Sequence, residues 1–161
     1  MAEIQNTIDL RGDEVVANSI IDRTIDGDFT DDIVTTIASY AFYSCQALTS
    51  VNLLVATEVG KFAFNSCTAL TSINLPAAVS IMGSAFKSAS KLNLLILGAE
   101  TVCALADVTA FNGTPFASGG TGGTVYVPAA LIESYQNATN WSTLYAAGTC
   151  NFVAIEGSEY E

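Results

Sequence analysis

The stretch that decides the fold is YAFYSCQALTSVNL, residues 40–53, which returns 22 positions later as FAFNSCTALTSINL, residues 62–75. A third, looser copy follows at the same step. The copies align on three Ala-Phe dipeptides, Ala41-Phe42, Ala63-Phe64 and Ala85-Phe86. Each copy also carries a Leu six positions after the Phe and apolar residues five before, nine after and eleven after it. A repeat of this period is typical of proteins built from stacked copies of one unit.

Two local patterns alternate within each copy. SVNL and SINL have the period of 2 that is typical of a half-buried strand, whereas AFxxCxxL spaces its Phe, Cys and Leu three apart, as a tight helical or 3₁₀ turn does. No copy can bury its inner face alone. We therefore expect the copies to stack as the coils of a solenoid, with their strands in one parallel sheet and their Phe rings in a ladder.

The pattern changes at both ends, which predicts three regions. Ala110-Phe111 follows the third copy by 25 residues, and TVYVP at residues 124–128 supplies a fourth strand. Pro128 opens PAALIESYQNA, whose apolar residues lie on one side of a helix, and Trp141 is expected to help close this end. We predict an acidic leader and capping segment at 1–32, the repeat region at 33–127, and a cap with a helix and tail at 128–161. The sequence leaves three alternatives for residues 1–12: a strand at Ile8–Leu10, an arm that docks onto a partner, or a tag-like extension.

The charge of the chain lies at its ends. The net charge of −11 divides into −7 over residues 1–32, −1 over 33–150 and −3 over 151–161. Nucleic-acid binding needs a stripe of Lys and Arg that this chain lacks, so that class is excluded. No stretch has the roughly 18 apolar residues that a membrane-spanning helix needs, and the start lacks the layout of a signal peptide.

The cysteines are expected to be free. Cys45 and Cys67 occupy the same slot in two copies, where the third copy has Ala89. Because Ala can replace Cys there, a small buried packing residue explains the slot better than a disulfide, which stays the minor alternative. Zinc is disfavoured because the chain has no Cys-x-x-Cys spacing and no histidine.

No catalytic residues are predicted. Without histidine, neither a Ser-His-Asp nor a Cys-His arrangement can form, and the repeat region holds few carboxylates or lysines. We predict a protein that is not an enzyme and has no cofactor. The acidic turn DGDFTDD is best explained as a solvated turn. Its four aspartates are weak candidates for calcium ligands: Asp26, Asp28, Asp31 and Asp32.

On these residues the chain resembles the BspA-like leucine-rich repeat proteins, also called the Treponema pallidum type. The family repeat reads roughly Ile-Gly-x-x-Ala-Phe-x-x-Cys-x-x-Leu-x-x-apolar-x-Leu-Pro, and VGKFAFNSCTALTSINLP at residues 59–76 matches it closely. At the Gly position of the family repeat, the second copy has Gly60, whereas the first and third copies have Ala38 and Met82. The opening IDLRGDEV and the ending at residues 125–144 resemble the leader and terminal cap of members from gut Firmicutes and their prophages.

The resemblance implies a β-rich right-handed solenoid with coils of about 22 residues, short helical turns and a C-terminal helical cap. It implies a recognition or adhesion module that is extracellular, on a bacterial cell surface or a phage particle. The expected partner is a protein or glycan on a host or neighbouring cell. The alternative is a structural or assembly domain of a phage tail or larger surface protein, with self-assembly in place of a ligand.

The binding surface is expected where the copies differ. On the outer face of the sheet, Ser and Asn in the first two copies give way to apolar side chains in the later ones, and such clusters often mark contact surfaces. The candidate ligand-binding residues are Asn52, Asn74, Leu94, Ile96 and Tyr126. An equally weighted alternative is that the terminal helix or a neighbouring chain covers them. A second candidate patch, on the turn side, comprises Tyr40, Tyr43 and Phe62.

Overall fold

The structure is a computed structural model that describes residues 8–11, 14–20 and 26–161. The remaining parts of the predicted acidic leader, residues 1–7, 12–13 and 21–25, lie outside the described residues. Two parallel sheets alternate along the chain, so that each copy contributes one strand to each sheet. The helices of the described residues are short, and none of them is long and apolar enough to cross a lipid bilayer.

Sheet I contains the four strands predicted from the repeat and two that were not predicted, the first and the last along the chain. Its members are β3 (Gly27–Asp31), β5 (Leu48–Leu53), β7 (Ser72–Asn74), β9 (Leu94–Ile96), β11 (Gly123–Val127) and β12 (Cys150–Ala154). They pair in parallel in the order β12-β11-β9-β7-β5-β3. The register places Val51 beside Ile73 and Ile73 beside Leu95, all buried. Because successive strand residues face opposite sides, the residues directly before and after each of these buried residues lie on the outer face.

Sheet II was not predicted from the sequence. It contains β1 (Ile8–Arg11), β2 (Glu14–Ile20), β4 (Thr36–Ile37), β6 (Glu58–Val59), β8 (Ser80–Ile81) and β10 (Ala104–Leu105), in the order β1-β2-β4-β6-β8-β10. From β2 onward the pairing is parallel, and β1 joins β2 as an antiparallel hairpin. Residues 8–10 are thus a strand, one of the three alternatives. The buried residues of β4, β6 and β8 are the apolar positions five before each Phe: Ile37, Val59 and Ile81.

The Phe residues form the predicted ladder between the two sheets. The centroids of neighbouring rings are 4.9 Å apart for Phe42 and Phe64, 5.7 Å for Phe64 and Phe86, and 5.4 Å for Phe86 and Phe111. All four rings are fully buried. The copies are also joined through their turns, because the Phe42 N–H donates to the Ala63 carbonyl at 2.8 Å and the Phe64 N–H to the Ala85 carbonyl at 2.8 Å.

The turns that carry AFxxC are tighter than a helix in the first three copies. Hydrogen bonds span three residues, as from the Cys45 N–H to the Phe42 carbonyl at 3.3 Å. Ser44, Ser66 and Ser88 have left-handed backbone angles, with φ of 61°, 62° and 61°, which interrupt any helix at the same place in each copy. Among the copies within residues 26–117, a 3₁₀ helix forms only in the fourth, at Val108–Phe111.

The C-terminal region contains more elements than the single predicted helix. Pro128 precedes a 3₁₀ turn at Ala129–Leu131, followed by α1 (Ile132–Asn137) and α2 (Trp141–Ala146). Tyr135 and Trp141 are fully buried, and the Trp141 indole N–H donates to the Cys103 carbonyl at 2.7 Å. The chain then returns to sheet I as β12, which pairs with β11 over five residues. The sequence analysis predicted no strand after the helix.

Candidate functional site

The outer columns of sheet I lie as the sequence indicated. Asn52 pairs with Asn74, Asn74 with Ile96, and Ile96 with Tyr126. The Asn74 amide donates to the Asn52 side-chain oxygen at 2.9 Å, so the polar half of this column is an asparagine ladder. The ladder stops at Ile96, which has no side-chain donor. The Asn74 Oδ1 atom is consequently buried without a hydrogen-bond partner in the described part of the chain.

The expectation that Leu94, Ile96 and Tyr126 form an exposed cluster is wrong for Ile96, which is only 5% exposed. Leu94 and Tyr126 are half-buried. The chain after β12 folds back to this face, where the Tyr160 ring packs edge-on against Tyr126 with centroids 4.7 Å apart. A cavity of about 400 Å³ between Asn74, Ile96, Ile155 and Tyr160 separates the sheet from this segment. The C-terminal segment, rather than a helix, therefore lies over this end of the face.

The second predicted patch is more open. Tyr40 is 40% and Tyr43 38% exposed, and Tyr40 contacts both Tyr43 and Phe62. The Tyr40 and Phe62 rings stack with centroids 5.0 Å apart and planes 17° apart, and the Tyr43 ring tilts against Tyr40 at 5.8 Å. The three residues thus form a connected aromatic surface.

Beyond Phe62 the aromatic column stops. The next residue of the column, 22 positions on, is Ser84, and all three column residues share a left-handed backbone, with φ of 63° at Tyr40, 57° at Phe62 and 59° at Ser84. Because Ser84 is short, no ring among the described residues stacks on the far side of Phe62. A cavity of about 740 Å³ lies there, bordered by Phe62, Met82, Gly83 and Ser84. We call this cavity the turn cleft.

The rim of the turn cleft is polar. Lys61 and Asp107 bring one charge of each sign, and Ser39, Ser84 and Thr109 bring hydroxyl groups. Hydrogen bonds from Thr109, chiefly from its backbone N–H at 2.7 Å, hold the pKa of Asp107 below its usual value, so this carboxylate is charged at neutral pH. A smaller cavity of about 290 Å³ shares Ser39 and Met82 with the cleft and extends it along β4 and β6.

The repeat that builds this site identifies its family. A model of the BspA-type leucine-rich repeat region matches six copies over residues 28–117, more than half of the 161 residues. The chain belongs to the BspA-type leucine-rich repeat family. Neither the curated proteins nor the solved structures contain a match to it. Members of this family are in general interaction modules without enzymatic activity.

The cysteine slot of the BspA-type repeat is a packing position, as predicted. The four cysteines are buried thiols that form no disulfide. The Cys67 thiol contacts the Phe42 carbonyl of the preceding copy at 3.0 Å. Outside this slot, burial raises the pKa values of Cys103 and Cys150 to about 12. Thiols of this kind stay protonated at neutral pH and do not supply a nucleophile.

The acidic turn before the first regular copy is committed to internal hydrogen bonds. The Asp28 carboxylate accepts from the Ser50 hydroxyl at 2.6 Å and the Thr49 hydroxyl at 3.0 Å. These bonds, first that from Ser50, lower the pKa of Asp28. Asp31 accepts from the N–H groups of residues 33 and 34. Asp26 and Asp32 are exposed, and within residues 26–161 no three potential ligands gather as a metal site would require.

Several residues of the turn cleft were missed by sequence reasoning. Tyr40 and Phe62 were predicted as a patch, but Met82, Ser84 and Asp107 were not connected with it. The signal was available at the 22-residue offset, since Tyr40 and Phe62 align with Ser84. A column that changes from aromatic to small marks a gap between copies in a stacked repeat. Asp107 comes from the irregular fourth copy, whose step of 25 residues hides the alignment.

Proposed function

We propose that the chain is a non-enzymatic recognition module of a bacterial cell surface or phage particle, and that it binds a surface protein or glycan in the turn cleft. The observation that carries the proposal is the free face of the Phe62 ring, which borders a cavity of about 740 Å³. Ligand pockets typically enclose roughly 300–1,000 Å³ and combine an apolar floor with a few polar groups. Family membership supports the interaction role, and the extracellular setting is part of the proposal.

The turn cleft is favoured over the outer face of sheet I, where the sequence analysis placed the ligand. Ile96 at the centre of that face is buried, whereas Met82, which borders the cleft, is 43% exposed. The walls of the cleft are also fixed before any ligand arrives, since the Tyr40 N–H donates to the Lys61 carbonyl of the next copy at 3.0 Å. A pre-formed site loses little conformational entropy on binding.

We further propose that the two sheets are the sides of one right-handed solenoid and that α1 and α2 close its C-terminal end. The buried rings of Tyr135 and Trp141 support this arrangement. The Trp141 ring lies 5.7 Å from Phe111, the last rung of the Phe ladder, and 5.8 Å from Tyr135. A terminal segment that shields the last rung of a stacked core from water is what a repeat protein needs for solubility.

Binding to intact surfaces tests the proposal. Fluorescently labelled chain is added to fixed epithelial cells and fixed gut bacteria, and bound fluorescence is measured by flow cytometry. We expect binding by the wild type that is weakened at least about fivefold in Phe62→Ala, which removes the stacking face, and lost in Gly83→Leu, which fills the cleft. Leu54→Ala is the control, because Leu54 is a 41% exposed apolar residue outside the cleft. Equal binding by all four proteins would contradict the site.

The alternative is an assembly domain, which rests on β3 and β12 as the edge strands of sheet I among the described residues. Unpaired strand edges can template pairing with another chain. However, β3 carries Asp28 and Asp31, and charge on an edge opposes such pairing. We expect static light scattering to report a monomer. A stable oligomer that binds neither cell type would favour assembly instead.

A further inference from the structure

We propose that the ligand of the turn cleft is a glycan, and that an uncharged sugar residue of it lies flat on the free face of Phe62. This inference rests on the proposed function, since it names the chemical class bound at the same site. It draws on three features of the cleft: the ring face, the polar rim and the balance of charge.

The ring face sets the shape of the ligand. Tyr40 covers one side of Phe62 with a centroid distance of 5.0 Å, while the opposite side faces the cleft above Ser84. An aromatic face is apolar and carries partial negative charge, so it attracts the slightly positive C–H groups of a flat ring. The C–H face of a pyranose meets this need. The ligand ring would thereby occupy the place that an aromatic residue at position 84 would take.

The polar rim distinguishes a sugar from an aromatic side chain of a protein. A ring that lies on Phe62 directs its edge toward Ser84, Asp107 and Thr109. The edge of a phenyl ring has no hydrogen-bonding groups, so these polar groups would lose water without replacement, which is unfavourable. The hydroxyl groups of a sugar can donate to the Asp107 carboxylate and accept from Ser84. Hydrogen bonds to a charged group are about twice as strong as those between neutral groups.

The balance of charge favours a neutral sugar. The cleft has one cation, Lys61, and one anion, Asp107, so its lining has no net charge. Sialylated or sulfated sugars need a surplus of positive charge, and the body of the chain between residues 33 and 150 has a net charge of −1. A neutral hydroxyl-rich ring can use Lys61 as a donor and Asp107 as an acceptor at the same time.

One substitution tests the inference with little disturbance of the fold. Ser84→Phe places a ring of the chain itself over Phe62. The backbone at Ser84 has φ of 59°, close to the 57° at Phe62, so an aromatic residue is compatible with that conformation. The variant should fold at least as stably as the wild type and lose the site. Loss of binding without loss of stability separates occupation of the cleft from unfolding.

The experiment uses a printed array of neutral, sialylated and sulfated glycans. We expect the wild type and Leu54→Ala to bind neutral glycans and Ser84→Phe to bind none. We expect Phe62→Ala to weaken binding at least about fivefold, in line with the loss of one ring contact. In NMR titrations with a bound array glycan, the amide signals of residues 61–62, 83–84 and 107–109 should shift.

Each other outcome overturns a defined part of the inference. If the wild type binds charged glycans alone, the proposal that the ligand is neutral is wrong. If Ser84→Phe binds as well as the wild type, the proposed position of the sugar on Phe62 is wrong. If no glycan on the array is bound, while cells bind the wild type but not Ser84→Phe, the ligand is a protein. In that case the glycan inference fails and the proposed function stands. If neither array nor cells are bound, the proposed function itself fails.

Discussion

The rings of Phe42 and Phe64 lie face to face, with centroids 4.9 Å apart and planes 10° apart, although the two residues are 22 positions apart in sequence. The same relationship recurs between Phe64 and Phe86. The Phe64 ring therefore stacks between the rings of the preceding and following copies. Hence the central rung, Phe64, supports the packing of two neighbouring copies.

Replacement of this rung should be strongly destabilising. Phe64 is fully buried, and truncation of a buried Phe to Ala costs about 3–5 kcal/mol through lost transfer energy and a remaining cavity. We expect Phe64→Ala to lower the free energy of unfolding in urea by this amount. Leu54→Ala is the control, and as an exposed site it should change stability by only about 0.5 kcal/mol. Similar small effects of both changes would show that the ladder does not hold the copies together.

Two glycines in the repeat should respond oppositely to the same substitution. A Cβ at Gly60 would lie 2.5 Å from the Ser39 backbone nitrogen, so Gly60→Ala requires a backbone shift and should cost about 1–3 kcal/mol. At Gly83 the nearest atom would be the Thr109 hydroxyl at 3.5 Å, an ordinary contact. Gly83→Ala should be neutral or stabilise by about 0.4–1 kcal/mol, because Ala restricts the unfolded chain. Thermal melting curves of the two variants give the comparison, and equal melting temperatures would contradict it.

Acid should remove a contribution that Asp28 makes to stability. Hydrogen bonds from Ser50 and Thr49 lower the folded-state pKa of Asp28 below its ordinary value of 3.8. The unfolded state then binds protons first as pH falls, so this contribution is present above pH 3.8 and is lost as pH drops through the folded pKa. Asp28→Asn should therefore lose less stability than the wild type on acidification from pH 5.

Urea unfolding curves at pH 5 and at pH 3 measure this difference. Ser50→Ala provides a second variant, because it removes the donor that contributes most to the shift. It should reduce the acid sensitivity without removing the carboxylate. Identical pH dependence in the wild type and both variants would mean that these hydrogen bonds do not stabilise the charged form.

The four cysteine thiols should be unreactive toward thiol reagents in the folded protein. All four cysteines are buried, and the pKa values of Cys103 and Cys150 are raised to about 12. At pH 8 we expect Ellman's reagent to react with no thiol of the native chain over minutes and with four thiols per chain in denaturant. Rapid reaction of one native thiol would locate a copy that opens on its own.

Elements with a readable alternation could be predicted, whereas the two-residue strands of sheet II and the contacts of distant segments could not. Val51 and Ile73 define the strands of sheet I because alternation over several residues is a readable signal. The strands at Ile37 and Val59 have two residues each, too few to show a period. Their role depends on hydrogen bonds between copies, as from the Thr57 N–H to the Thr35 carbonyl at 2.8 Å.

The candidate site shows the same division. Tyr40 and Phe62 were found because aromatic residues recur at one position of the repeat. The burial of Ile96 was missed because it depends on a segment near Tyr160, far along the chain, whose approach to Tyr126 leaves no local pattern. The turn cleft was missed because its volume arises where Ser84 lacks the aromatic ring of Tyr40 and Phe62. The missing ring is visible only when the copies are compared.

The hydrogen bonds between copies have a mechanical consequence. Those at Phe42, Phe64 and Phe86 all run from one copy to the next, 2.8–2.9 Å long, in the direction in which the copies succeed one another. A pulling force applied to the two ends of the repeat region would load these bonds in series. The weakest junction would then rupture first and release one coil of chain, which would relieve the tension on the others. A tether of this kind would absorb sudden loads in small steps and keep its remaining coils folded.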